Sequence, residues 1–392
     1  MVSKRKKMNG LTYDNSKTIG LVTLYNDNFG SILQAYSTYS FIESMGYKCI
    51  LLELEDNSGY LTKLKKIPII LYKSIKYKGF FSDKMLQAVS RKKERNMLSK
   101  GTKQKMDNFV NSNFVIKKYN SKQIKNIDKE YGYFVTGSDQ VWNGYSGFRF
   151  LLFASRKKRI CLAPSFGTDE IKPYIVNDIK KGLMGFDVLT TREETGVNII
   201  KQLVNRKAIR LPDPTVLYNK KEWEIFCKDG IKEQNYLLCH FLNEPNDLAI
   251  TCIGKMQEKT KNKIICITNN YQKYNKLDKV FFLDVSPSDY VSLIDFADYV
   301  FTDSFHTSLF SINLAKQFAV FDRQHLHNNS QRNRITDLLG RLNLSDRFIK
   351  YEKDFEKLSN VDEQSLESER IKIREYILKY LNINKASLNS EK

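Results

Sequence analysis

Four short polar clusters carry the residue types needed for anion binding or acid–base chemistry, and each follows an apolar run. The first is Asn28, Gly30 and Ser31, with Gln34 one helical turn later. A glycine-containing turn at a helix start leaves free backbone N–H groups, which form a ready anion site. The same pattern also occurs in tight connections without a ligand. The second cluster is Gly137-Ser138-Asp139-Gln140, before Val141-Trp142-Asn143. Gly137 lets the chain leave a strand sharply, so Asp139 projects from a sheet end. A carboxylate buried there without a partner is costly, so Asp139 either caps a helix or takes part in chemistry. The third is Arg192-Glu193-Glu194. A cation at a helix start opposes the dipole. Either Arg192 offers its planar fork to a carboxylate or phosphate, or it sits in a salt bridge.

The fourth cluster is Asp303-Ser304-Phe305-His306-Thr307-Ser308. His306 lies among hydroxyls and an aspartate at a strand-to-helix corner. An imidazole there donates to an anion or moves a proton near neutral pH. Asp213-Pro214-Thr215 reads as a structural turn, and His240, after Cys239 in an apolar strand, as core. His325 and His327 lack a third spaced ligand, so no metal site is assigned.

The elements that must position these clusters alternate between short apolar runs and amphipathic stretches, the pattern of an α/β protein. Strands are expected at 17–24, 47–54, 133–136, 159–163, 187–190 and 207–211. A helix is expected at 31–45, and another ends near 204. A second block of strands follows at 236–241, 263–268, 279–283, 299–302 and 318–321. These blocks imply two doubly wound domains, 1–211 and 212–392, facing a cleft, with a final helix at 369–381 returning to brace the first. Each cluster then falls at the carboxyl end of a strand, where open α/β sheets hold ligands. The stretch at about 60–125 breaks the alternation and reads as a basic helical insertion.

Composition narrows the partners. With 41% apolar and 28% charged residues among 392, the chain has a sizeable core. It lacks any run of ~18 apolar residues. The first apolar run, 19–25, is short and has no cleavage site after it, so a cytoplasmic location is expected. Six cysteines without a C-x-x-C spacing read as reduced core residues. The net charge is +20, and residues 61–107 carry 14 Lys/Arg against 3 acids. These basic residues neighbour Ile69, Ile70, Leu71, Tyr72, Phe80 and Phe81. Two readings stand for that stretch: a solvated helical hairpin, or a segment lying on anionic lipid. No zinc-finger, helix-turn-helix or RNP-like motif supports a nucleic-acid partner.

Six motifs occur in order: G-S-D-Q-V-W-N (137–143), A-P-S-F-G-T (163–168), R-E-E-T-G (192–196), D-P-T (213–215), D-S-F-H-T-S-L-F-S-I (303–312) and R-I-T-D-L-L (334–339). Together they resemble the polysaccharide pyruvyl transferase family, over about residues 18–350. The resemblance implies two Rossmann-like domains similar to the glycosyltransferase-B architecture, with the acceptor side first and the donor side second. It implies transfer of pyruvate from phosphoenolpyruvate to sugar hydroxyls as a cyclic ketal, without a metal or nucleotide cofactor. The implied acceptor is often a polyprenyl-linked oligosaccharide at the inner membrane face.

His306 and Arg192 match family donor-site residues, and Asp139 best matches a catalytic acidic residue. On this reading His306 acts as acid or phosphate donor, Arg192 clamps the anion and Asp139 accepts a hydroxyl proton. Ser138 and Ser304 stand beside them, and Asn28, Gly30 and Ser31 line the acceptor side. Many relatives carry Arg-Leu-His where this chain has Ser304-Phe305-His306. Arg334, Arg332 and Arg323 are the candidates to replace that cation. The rivals are a nucleotide-sugar glycosyltransferase of the same plan and an inactive binding relative.

Overall fold

The computed structural model describes residues 15–26, 28–55, 98–267, 272–323, 330–356 and 358–381, with 68, 70–77, 79–82 and 85. Five parallel strands form the first sheet: β1 (Thr18–Val22), β2 (Lys48–Leu54), β3 (Ile116–Tyr119), β4 (Tyr133–Thr136) and β5 (Arg159–Cys161). Their order is β3-β2-β1-β4-β5. A two-stranded pair, β6 (Leu189–Thr191) and β7 (Ala208–Arg210), extends this half beyond β5. Thr190 makes the join: its Oγ1 donates to Cys161 O at 2.8 Å and accepts from Ala163 N at 2.9 Å.

The second sheet holds β8 (Tyr236–His240), β9 (Lys263–Cys266), β10 (Val280–Phe282), β11 (Tyr299–Thr302), β12 (Phe318–Phe321) and β13 (Phe348–Ile349). All are parallel, in the order β10-β9-β8-β11-β12-β13. Both sheets are doubly wound, and the order reverses between β1 and β4 and between β8 and β11. Strands covered on both faces need continuous apolar runs rather than alternation. The fully buried strands β1 (TIGLV) and β8 (YLLCH) meet that need.

The helices are α1 (Phe29–Ser44), α2 (Lys100–Asn113), α3 (Val176–Leu183), α4 (Glu194–Val204), α5 (Lys220–Phe226), α6 (Asp247–Thr260), α7 (Pro287–Phe296), α8 (Phe305–Asn313), α9 (Ser330–Arg341) and α10 (Glu367–Tyr380). Helix α1 is buried around most of its circumference because it is wedged between the halves, and its buried Ser37 and Thr38 hydroxyls donate back to Gln34 O. Phe29 stacks on Tyr290 of α7 at 4.6 Å, and Tyr36 meets Phe226 of α5 at 4.8 Å. One core therefore runs through both halves, joining Leu21 and Leu51 to Leu238 and Val300. Helix α10 crosses back to the first half, where Tyr376 OH donates to Cys161 O at 2.8 Å. Arg370 of α10 also donates to Val216 O and to Asn313 Oδ1 of α8, each at 3.0 Å.

The expected helical insertion at 60–125 needs correction. Its only long described helix is α2, and residues 116–119 form β3, the edge strand of the first sheet. Lys117 and Lys118 face solvent and break the apolar pattern, as an edge strand tolerates. Helix α2 also reaches the second half. Val285 N donates to Thr102 Oγ1 at 3.2 Å, and Lys105 Nζ donates to Asp284 O at 2.8 Å. The short strand β13 was likewise not anticipated. All six cysteines are buried and unpaired. Among the described residues, no helix is long and apolar enough to cross a membrane.

Candidate functional site

The wall after β1 is built for close approach. Asn28 caps α1, its Oδ1 accepting from Ser31 N at 3.2 Å. A Cβ on Gly30 would lie 2.1 Å from Cγ and Nδ1 of His306, so only glycine admits the imidazole. Ser31 Oγ donates to Asp139 Oδ2 at 2.5 Å. Gln34 Oε1 accepts from Ser138 N at 3.1 Å, which ties the loop after β4 to α1. In that loop Gly137 has φ 124°, and a Cβ there would meet Leu162 O at 1.9 Å. Ser138 Oγ donates to Ala163 O at 3.0 Å and lies 3.4 Å from Asp213 Oδ2.

Asp213, just after β7, is the hub. Its Oδ1 accepts from Thr215 N at 3.0 Å and Thr215 Oγ1 at 2.9 Å. Its Oδ2 accepts from Arg192 Nη1 at 2.6 Å and lies 3.4 Å from His306 Nε2. Burial alone would raise this carboxyl, but His306, Arg192 and the Thr215 amide outweigh it and hold it well below the usual range. Asp139 behaves likewise: burial opposes ionisation, yet Arg192, His306, Ser31 and Arg334 keep it lowered.

Arg192 is 3% exposed, and its Nε and Nη2 have no hydrogen-bond partner. Nη2 stands 3.7 Å from Asp139 Oδ1, and Nε stands 3.8 Å from Glu193 Oε2. The other Glu193 oxygen accepts from Ser165 Oγ at 2.7 Å and Phe166 N at 3.1 Å. Two guanidiniums lie over the Phe305 ring, Arg192 Cζ at 4.7 Å and Arg334 Cζ at 5.8 Å from its centroid. Burial, and then the charge of Arg192, pushes the buried Arg334 down to about 10, still a cation at neutral pH.

The second half supplies the supports of His306. Asp303 accepts from Leu242 N at 2.7 Å and Asn243 N at 3.2 Å, fixing the loop after β8. Arg323 Nε donates to Asp303 O at 3.0 Å. His240, the last residue of β8, places Nδ1 2.6 Å from Thr307 Oγ1 on α8. Burial first, then the charges of Arg323 and His306, pushes His240 down to about 3, so it is neutral.

Arg192, His306 and Ser138 thus meet at Asp213, with Asp139 and its partner Ser31 next to Arg192, Gly30 against His306, and Arg334 over the Phe305 ring. Other positions differ from expectation. Asn28 and Ser304 are occupied as caps of α1 and α8, the Ser304 oxygen accepting from Thr307 N. Arg332 is not brought to the cluster: it faces outward from α9 and pairs with Asp322 at 3.2 Å. Helical geometry explains the split, since residues two apart on a helix do not share a face. His325 and His327 lie outside the described residues. Sequence reasoning passed over Asp213 because Asp-Pro-Thr is also a good capped turn, and the structure shows one oxygen doing that while the other serves the cluster. His240 is core by burial, but its ring is tied through Thr307 to the helix of His306. Only its place at a strand end could have flagged it.

A concavity adjoins the cluster and is lined by Arg192, Glu193, Asp213, Phe305, Arg334 and Arg341. His306 turns its ring toward Gly30 instead. The arrangement offers guanidinium donors for an anion, an imidazole next to a carboxylate for proton transfer, and a second carboxylate on the α1 side.

A family model described as polysaccharide pyruvyl transferase matches residues 28–325. No curated protein matches the chain. Among solved structures, the chain is similar to UDP-GlcNAc 2-epimerase from Neisseria meningitidis, at 10% identity and TM-score 0.45, covering 92% of this chain and 100% of that one. It is also similar to a glycosyltransferase from Rickettsia africae, at 11% identity and TM-score 0.46, covering 95% and 100%.

Proposed function

The chain belongs to the polysaccharide pyruvyl transferase family, and on that premise we propose that it transfers pyruvate from phosphoenolpyruvate to two hydroxyls of a sugar as a cyclic ketal. The acceptor is a unit of a cell-surface polysaccharide or its polyprenyl-linked precursor, met on the cytoplasmic side of the membrane. One observation carries the reading. Arg192 is buried with two donors unpartnered, while its third nitrogen and His306 converge on one oxygen of Asp213. A buried donor left unpaired costs about 1–3 kcal/mol. A small dianion or trianion removes that cost; the facing oxygens of Asp139 and Glu193 stand 3.7 and 3.8 Å away, beyond hydrogen-bond reach.

On this proposal Arg192 and Arg334, both over the Phe305 ring, grip the carboxylate and phosphate. Arg334 supplies the cation that the Ser304-Phe305-His306 sequence lacks. His306, 3.4 Å from Asp213, delivers a proton to the methylene carbon, which leaves C2 as an oxocarbenium-like centre. A sugar hydroxyl adds to C2 and gives its proton to Asp139. The bond between C2 and the phosphate oxygen then breaks, and phosphate departs with the electron pair. The second hydroxyl adds to C2, its proton passing to solvent, and closes the ketal. No metal or nucleotide enters these steps.

The test has two parts. Phosphoenolpyruvate alone is expected to raise Tm, because a ligand that binds only the folded state stabilises it. Phosphate release is expected only when phosphoenolpyruvate and a sugar acceptor are both present. Stabilisation by nucleotide sugars with none by phosphoenolpyruvate would overturn the proposal in favour of glycosyl transfer.

A further inference from the structure

The basic stretch that interrupts the first half has a described part whose architecture is two-faced. Residues 70–76 form a helix and 80–82 a further helical turn. One face is fastened to the body: Phe80 is buried edge-on against Tyr174 at 4.9 Å, and Lys73 Nζ donates to Tyr174 O at 2.9 Å. The other face is apolar and open. Ile75 is 85% exposed, with Leu71 and Tyr72 exposed beside it, and Phe81 and Met85 are exposed further along the chain. Leu71 and Ile75 are four apart, as are Tyr72 and Lys76, so on a helix they share a face. Lys76 Nζ donates to Tyr72 OH at 3.0 Å, which keeps an ammonium at the rim of the patch.

A cluster of exposed large apolar residues marks an interaction surface. Its setting selects the partner, because 14 of the charged residues in 61–107 are basic and only 3 acidic. A protein groove would have to match both the aliphatic face and that dense charge. An anionic bilayer supplies both, with acyl chains for Leu71 and Ile75 and phosphates for the lysines. Position agrees with this. The stretch leaves the first sheet at the carboxyl end of β2, and Tyr174 lies on the connection from the carboxyl end of β5. Asp139 and the start of α1 emerge from the same edge.

We propose that the face formed by Leu71, Tyr72 and Ile75 docks on an anionic lipid surface and so brings the cleft edge toward the membrane. The proposal deepens the reading of a lipid-linked acceptor and rests on it for its purpose. Its test does not depend on catalysis. Full-length protein is sedimented with vesicles of phosphatidylcholine alone, or with about one third phosphatidylglycerol, at low and high salt. Binding is expected only to the anionic vesicles, with loss on raising salt. The paired variant Leu71→Asp with Ile75→Asp is expected to lower that binding at least about tenfold, since both side chains leave the interface. Its melting temperature and its response to phosphoenolpyruvate are expected to match wild type, which shows a folded chain and tests the donor site separately. Absent vesicle binding, equal binding to neutral vesicles, or unchanged binding by the variant overturns the proposal. So does a dimer in sedimentation that this variant converts to monomer, because the face would then cover a second copy.

Discussion

The molecule concentrates positive charge in two places that share a sign and little else. Around Asp213, the cations Arg192 and Arg334 are buried, and Asp213 holds Arg192, with His306 beside them. On the open face of 70–76, Lys76 is exposed and its ammonium donates to Tyr72 OH, next to the exposed Leu71 and Ile75. Buried charge is screened little and is worth keeping only where geometry is exact to a few tenths of an ångström. Exposed charge acts at longer range, tolerates movement and fades with salt. The first arrangement suits recognition of one small anion, and the second suits attraction to an extended surface. A net charge of +20 alone does not separate these roles.

The sharpest way to break this contrast is at the buried end. His306→Ala is expected to lower kcat by about 10²–10⁴, the usual worth of a positioned acid or base. Its fold is expected to persist, read by circular dichroism, because Arg192 and Thr215 still hold Asp213. Unchanged turnover of phosphoenolpyruvate would remove His306 from the chemistry. Arg192→Lys keeps the charge but loses the fork, so kcat/KM for phosphoenolpyruvate is expected to fall about tenfold or more. An equal value in the two proteins would make Arg192 a structural ion pair.

A smaller effect separates the neighbours on α9. Arg334→Gln is expected to reduce the rise in Tm produced by phosphoenolpyruvate, whereas Arg332→Gln is expected to leave it unchanged. Similar loss in both would mean that general surface potential, rather than the buried guanidinium, attracts the donor. At the exposed end, raising salt to about 0.5 M is expected to abolish vesicle binding while leaving turnover of a water-soluble acceptor within a few-fold. Parallel loss of both would erase the distinction between the two regions.

The smallest expected effect concerns pH. His240 is held neutral in the folded protein at about 3, against 6.5 for an ordinary histidine. The unfolded chain therefore binds a proton that the folded chain refuses. Its contribution to stability is full above pH 6.5 and declines as pH falls toward 3. His240→Gln is expected to flatten denaturation midpoints measured across that window. An unchanged slope would mean that the folded chain also accepts the proton.

Much of the scaffold was legible. The expected strands at 133–136, 299–302 and 318–321 coincide with β4, β11 and β12, because doubly covered strands are unbroken apolar runs bounded by polar corners. The corners themselves were legible for the same reason, since Asp139, Arg192 and His306 each stand where such a run stops. The edge strand β3 was not, because its two outward lysines erase the apolar signal. Among the site residues, local pattern separated neither Arg334 from Arg332 nor the two oxygens of Asp213.

The amino-acid order determined the α/β alternation, the family and the strand ends at which polar groups collect. These are local properties: they follow from runs of neighbouring side chains and the geometry of a single strand–turn–helix unit. Tertiary structure decided that Arg192, His306 and Ser138 share one oxygen of Asp213, and that Gly30 makes room for the imidazole. It also decided that Ser304 and Asn28 cap helices and that Arg332 faces away. Such outcomes depend on how two sheets and α1 pack across sequence separations of more than a hundred residues, and no pattern within one segment encodes that distance.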